Sequence, residues 1–365
     1  MFARTRYIDW AIAHYGKAEA DLATSGMPLR RIDAAKLAEL DLDAPTAPAA
    51  LTEKVARYND VPEAEALATL GTSQAIFTTY ATLLSAGDDV LVEAPGYEPL
   101  RRAAEGVGAH VREVERPRRG GYALDPDRFA SMMTPRTRVI AVTHLHNPSG
   151  VAADPSALLE LARMAEARGA WLMVDEVYAP FAHPPVQGVF SRSARKIHPS
   201  VVAVGSLTKC FGLGMHRVGW MLAPAEVIRD ARATLISTCG HLPSSHAAIG
   251  ASLLADVDAY WSATSRALEG RRAIVDAWLA RHPALELSAH PSGIFGLLHV
   301  PGATDLLPHV ERWIAERGLL VAAGTFFGAP DALRLSWATL GGEDLSRALD
   351  ALADGLTDAG LPIDA

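Results

Sequence analysis

The chain has 365 residues, 49% of them hydrophobic and 21% charged, with a formal net charge of −8. This gives room for one large domain and a smaller one, and the acidic balance disfavours a nucleic-acid or anionic-membrane partner, either of which would call for a basic surface. Two cysteines, Cys210 and Cys239, are too few for a disulfide framework or a multi-cysteine metal cluster; they read as small buried hydrophobes, and the expectation is a reducing, cytoplasmic setting with no metal.

Residues 1–10 mix Arg4, Arg6 and Asp9 and show no apolar run ending in a small-residue cleavage site, so no signal peptide is expected. No stretch reaches the about 18 consecutive apolar residues of a membrane-spanning helix. Residues 41–50 (DLDAPTAPAA) read as a connecting segment. From there short apolar strands alternate with helical patterns: a helix over 73–84, DVLVEA at 89–94, RVIAVTHL at 138–145, a helix over 155–168 entered through Asp154 as N-cap, WLMVDE at 171–176, SVVAVGS at 200–206, VGWMLAP at 218–224 and a helix over 225–236. Continuously apolar strands are buried on both faces, which predicts an α/β fold around a mainly parallel sheet. A long helical pattern over 251–282 leads out of this unit. LELSAH (285–290), GIFGLLHV (293–300) and ALRLSWA (332–338) follow, with helices at 303–317 and 343–357. The expected division is therefore 1–45 and 283–365 as a small α+β domain built from both chain ends, with 46–282 as the large domain.

Several segments carry chemistry. In GSLTKCFGLGMHRVGW (205–220), Lys209 follows an apolar strand, with Ser206 before it and Arg217 after it. A partly desolvated amine near another cation can attack a carbonyl, and a hydroxyl with a guanidinium makes an anion pocket. Taken singly, the two charges read as solvated loop residues. In LGTSQAIF (70–77) a strand ends at Gly71 and a helix begins near Thr72 and Ser73. Its unpaired N–H groups favour a phosphate, although the same residues also make an ordinary helix cap. THLHNPSG (143–150) contains a turn whose chemistry explains the Pro and Gly but not Asn147. WLMVDEVYAPF (171–181) sets Asp175 at the carboxyl edge of a parallel sheet, where open α/β sheets bind ligands. Its neighbour Glu176 points to the opposite face and reads as a structural or surface acid, which disfavours paired-carboxylate hydrolysis. In ALRLSWA, Arg334 lies in an otherwise apolar strand and needs an anion.

In this order, from about residue 20 to 357, these segments resemble the class I/II aminotransferases, the fold type I pyridoxal-phosphate (PLP) enzymes. The resemblance implies a sheet of the seven-stranded type between helices, and it implies that Lys209 carries the cofactor as an internal aldimine. It also implies that Thr72, Ser73, Ser206 and Arg217 hold the phosphate, with Gln74 a neighbour, and that Asn147 and Tyr178 reach the phenolic oxygen. Asp175 keeps the pyridine nitrogen protonated. Tyr97, in EAPGYEPL (93–100), stacks on the ring; without the resemblance it is a packing tyrosine. Arg334 grips the substrate α-carboxylate beside Asn147, and Gly26, in LATSGMP (22–28), adds a backbone contact.

The implied activity is exchange of an amino group between an amino acid and a 2-oxo acid, with Lys209 moving the Cα proton, in a homodimer. The same residues would serve β-elimination, cyclisation, decarboxylation or oxidation of an amino acid. A cofactor-binding regulator is a remoter alternative, and no added DNA-binding segment is expected before residue 20. A dehydrogenase fails for want of a G-x-G-x-x-G turn. The stretch 28–69 is short for the family, leaving Tyr58 as the tyrosine available to reach a neighbouring subunit's phosphate, and Arg30, Arg31 and Arg101 as unranked candidates for selecting a second carboxylate. His144 and His146 read as packing or hydrogen-bonding residues.

Overall fold

The strands that read as continuous apolar runs do lie side by side. In the computed structural model, which describes residues 2–364, they form one seven-stranded sheet. Its order is Ala66–Leu70, Val218–Leu222, Val201–Ser206, Trp171–Asp175, Thr137–Thr143, Asp89–Ala94, His110–Glu115. Val218–Leu222 runs antiparallel to both neighbours; the other four pairings are parallel. Val139–Val142, Leu172–Val174 and Val201–Val204 are fully buried because helices cover both faces. On one face pack Ile76 and Tyr80 of helix Thr72–Leu83 with Val227 and Ile228 of helix Ala225–Cys239. On the other pack Leu158, Leu161 and Ala162 of helix Pro155–Glu166. That helix starts where the sequence places its cap, the Asp154 carboxylate accepting from the Ser156 N–H at 2.7 Å.

The edge strand His110–Glu115 escapes sequence reading because its HVREVE sets only Val111 and Val114 among polar residues and is half-exposed. The pattern over 251–282 is not one helix. It divides into Ser244–Ala255, Val257–Leu268 and Arg271–Arg281, interrupted at Asp256 and at Gly270, whose φ of +75° is a left-handed turn that glycine adopts without strain.

The chain ends meet. Ala20–Asp21 pairs in parallel with Leu319–Leu320, and a four-stranded antiparallel sheet runs Ala322–Ala323, Ala332–Ser336, Phe295–His299, Glu286–Ala289. One hydrophobic cluster joins Tyr7, Trp10 and Leu22 to Trp313, Phe327, Trp337 and Leu352, and takes in Val275 and Trp278 of helix Arg271–Arg281. The consequence for function is positional. Thr143 and Asp175 are register partners at the carboxyl edge of the large sheet, Ser206 ends the next strand, and Arg334 projects from the small sheet toward that edge. Among the described residues no helix is long and apolar enough to cross a membrane.

Candidate active site

Where the two sheets face each other a cavity of about 350 Å³ opens, and Thr72, Ser73, Tyr97, Asn147, Asp175, Tyr178, Ser206, Lys209, Arg217 and Arg334 all line it. Residues spread over more than 260 positions of sequence thus share one space. Gly26 sits behind it: a Cβ there would come within 3.2 Å of Lys209 Cδ, and the adjacent Met27 N–H donates to the Lys209 carbonyl at 2.9 Å.

One end of the cavity is built for an anion. Helix Thr72–Leu83 begins here after Gly71, whose φ is +81°. A side chain at Gly71 would put its Cβ 2.5 Å from Arg217 Nη2, so the guanidinium lies directly over the helix entry. Arg217 itself holds φ +52°, an uncommon conformation for a non-glycine residue. Among the described residues its guanidinium has no hydrogen bond or ion pair, and the buried Thr72 Oγ1 has no partner either. A helix N-terminus, an orphaned hydroxyl, the nearby Ser73 and Ser206, and a free guanidinium make a cradle suited to a phosphate.

At the centre stand Asp175 and Lys209. The Asp175 carboxylate is buried and, among the described residues, accepts one hydrogen bond, from the Val177 N–H at 3.1 Å. Burial pushes its pKa up to about 7 against that bond and the charge of Lys209, with the Glu93 carboxylate adding to the rise. A cationic partner at this carboxylate would reverse the shift. Burial also lowers the Lys209 amine; Tyr7 opposes this, while the cations Arg334 and Arg217 reinforce it. A lowered amine pKa shifts the balance toward the neutral form, which is the base and the nucleophile.

The other end is dominated by Arg334, which is fully buried. Its Nη1 donates to Asn147 Oδ1 at 3.0 Å, and its Nη2 donates to Tyr7 Oη at 2.5 Å, Tyr15 Oη at 3.1 Å and the Ala23 carbonyl at 3.0 Å. Its Nε has no partner. No carboxylate of the described residues pairs with it, although a buried guanidinium without an anion is costly. Tyr7 and Tyr15 are absent from the sequence-derived site; Tyr7, Trp10 and Ala11, buried at i, i+3 and i+4 of helix Arg6–His14, were the signal that this segment packs inward.

The remaining candidates lie elsewhere. Gln74 turns back to accept from the Leu70 N–H at 2.7 Å. Tyr58 is enclosed by Phe190, Phe211 and Trp220 of its own subunit, so it does not reach outward as the short 28–69 segment suggested. Arg30 donates to the Tyr260 carbonyl and to Thr264 Oγ1, Arg31 is exposed, and Arg101 is paired with Glu105 and Glu113; none of the three lines this cavity. Buried His146 has both ring nitrogens bonded, to Ser149 Oγ and the Pro95 carbonyl, and His144 accepts from the Ala153 N–H while stacking on His183. The Glu176 carboxylate accepts from Ser193 Oγ and the Ala194 N–H on the far side of the strand from the cavity.

Comparison with known proteins agrees with this geometry. The family model described as "Aminotransferase class I and II" matches residues 34–352. The chain is 28% identical to capreomycidine synthase of Streptomyces vinaceus over 95% of its own length and 92% of the relative's. It is 32% identical to the aspartate/prephenate aminotransferase of Thermus thermophilus over 83% and 79%. Among solved structures, the PLP-dependent cyclase OrfR superposes with a TM-score of 0.83 at 27% identity over 98% of both chains. A PLP-dependent aminotransferase of Streptococcus suis, at a TM-score of 0.85 and 22% identity, shares the fold over 98% of both chains. The chain belongs to the class I and II aminotransferases, and is an enzyme of that family's pyridoxal-phosphate-dependent, fold type I kind.

Proposed function

We propose that this protein transfers an amino group between an α-amino acid and a 2-oxo acid. The observation that carries the reading is Arg334, a buried guanidinium lacking an anion, in the same cavity as the amine of Lys209 and the carboxylate of Asp175. The residues present fit the cofactor. Thr72, Ser73, Ser206 and Arg217 would hold its phosphate, Asp175 its ring nitrogen, Asn147 and Tyr178 its phenolic oxygen, and Tyr97 the face of its ring. When bound, PLP supplies an aldehyde that condenses with amines and a protonated ring that accepts the electron pair left on Cα.

The chain's own residues do the rest. Arg334 and Asn147 orient the substrate through its carboxylate, with the Gly26 segment behind Lys209. The Lys209 amine takes the Cα proton and returns it, its burial-lowered pKa keeping the neutral base available. Ile8, Ala11 and Ile12 on helix Arg6–His14 add an apolar wall to the cavity. The reading includes a cytoplasmic homodimer: two unpaired cysteines suit a reducing compartment, and exposed Leu29, Met215 and Ile236 suit burial against a second copy.

A second reading, cyclisation of an amino-acid side chain, is supported by the near-complete alignment with capreomycidine synthase and OrfR. Nitrogen labelling separates the two. Enzyme, a panel of ¹⁵N-amino acids and an unlabelled 2-oxo acid are incubated together, and transamination places the label in a new amino acid. Label retained in a cyclised product of the donor would overturn the proposal in favour of the second reading.

A further inference from the structure

We propose that Tyr7 is a substrate-binding residue, its hydroxyl donating a hydrogen bond to the carboxylate that Arg334 holds. This rests on the reading of Arg334 as the carboxylate site, and it adds to that site a group from the chain's first helix. Tyr7 lies in the cavity lining, while its helix lays Ile8, Ala11 and Ile12 along the same wall. The helix is tied down at this residue: the Tyr7 N–H donates to Glu98 Oε2 at 3.0 Å, one position beyond Tyr97. Its ring packs on Phe327 at 4.9 Å between centroids, and Arg334 Cζ sits 5.0 Å from the ring centre, so the side chain has one packed orientation.

The hydroxyl protons identify Tyr7 as the donor. Tyr15 Oη donates to the Ala23 carbonyl at 3.2 Å and accepts from Arg334, so its single proton is committed. Tyr7 Oη accepts from Arg334 at 2.5 Å, which leaves its own proton directed at Tyr15 Oη, 2.6 Å away. That bond joins two neutral hydroxyls. A carboxylate arriving on the unpartnered Nε of Arg334 offers the same proton an anionic acceptor, and charge-assisted hydrogen bonds are about twice as strong as neutral ones. The phenol is also disposed to give its proton up: burial resists ionisation, but Arg334 and then Lys209 outweigh it and hold Tyr7 below the ordinary tyrosine value.

The test is the change Tyr7→Phe, which retains the ring. Holoenzyme is titrated by calorimetry with 3-phenylpropionate and with its uncharged amide. Wild type should prefer the acid. Tyr7→Phe should weaken the acid about 10-fold to 30-fold while moving the amide less than twofold, with cofactor affinity unchanged; a hydrogen bond to a charged group is worth that much. Because the readout is a ratio within one variant, a general loss of fold or cofactor would weaken both probes alike and count against the proposal. Arg334→Gln is run beside it. If it abolishes the preference for the acid and Tyr7→Phe does not, Tyr7 is misassigned while Arg334 stands. If wild type shows no preference, the carboxylate site itself is wrong.

Discussion

Replacing Asp175 by Asn should stabilise the cofactor-free protein and weaken the holoenzyme. The buried carboxyl has its pKa raised from 3.8 to about 7 by desolvation. A raised folded-state value means that the native state binds the proton more tightly than the unfolded chain does. The group's stabilising contribution is therefore fully present below about pH 4, declines as pH rises, and is gone above about pH 7. Taken over that interval the ionised carboxylate costs at most about 4 kcal/mol, and the nearby Lys209 charge, already counted in the shift, would be weakened by solvent entering an empty cavity, so 2–4 kcal/mol is the working range. Asn mimics the protonated acid at all pH values. Thermal unfolding of both cofactor-free proteins between pH 4.5 and 8 should show the Asn variant ahead by several degrees at pH 8 and by little at pH 4.5. With PLP bound the order should reverse, since Asn offers no negative partner to the ring nitrogen. A difference independent of pH would refute the argument that burial, rather than packing, sets this site's energetics.

Arg217→Gln removes the free guanidinium over the helix entry and should lower PLP affinity about 10-fold to 100-fold, the worth of one or two charge-assisted hydrogen bonds; fluorescence titration of cofactor-free protein measures it. Gly71→Ala places a methyl 2.5 Å from Arg217 Nη2 at φ +81° and should lose cofactor affinity together with about 1–2 kcal/mol of stability, seen in denaturant unfolding. Arg334→Gln should raise KM for amino acids at least 100-fold while leaving PLP absorbance intact. Asp154→Ala, outside the cavity lining, should lower the melting temperature modestly through the lost cap and change no kinetic constant.

Much of the large domain was legible because its strands announce themselves: VIAV, LMV and VVAV are apolar on every residue, as a sheet covered on both faces requires. Asp175 and Ser206 end two of these strands, and Asn147 and Lys209 follow within four residues of a strand end, so their neighbourhood at the sheet edge was legible too. The edge strand His110–Glu115 was not legible, since half-exposed HVREVE resembles a polar helix or loop as much as a strand. Tyr7 and Tyr15 were missed for a different reason. Their place depends on how the first helix returns across more than 300 positions of sequence to meet Arg334, and no local pattern encodes that crossing. Tyr58 was simply the tyrosine available in its segment, and burial against Trp220 and Phe211 turns it inward through contacts that no local pattern encodes.

Lys209 is the centre of the account. Reducing the PLP-loaded enzyme with borohydride, digesting it and mapping the modified peptide by mass spectrometry should find the cofactor on Lys209 within the segment GSLTKCFGLGMHR, and the Lys209→Ala protein should carry no such adduct. An adduct on another lysine, or an unmodified enzyme that still turns over amino acids, would contradict it.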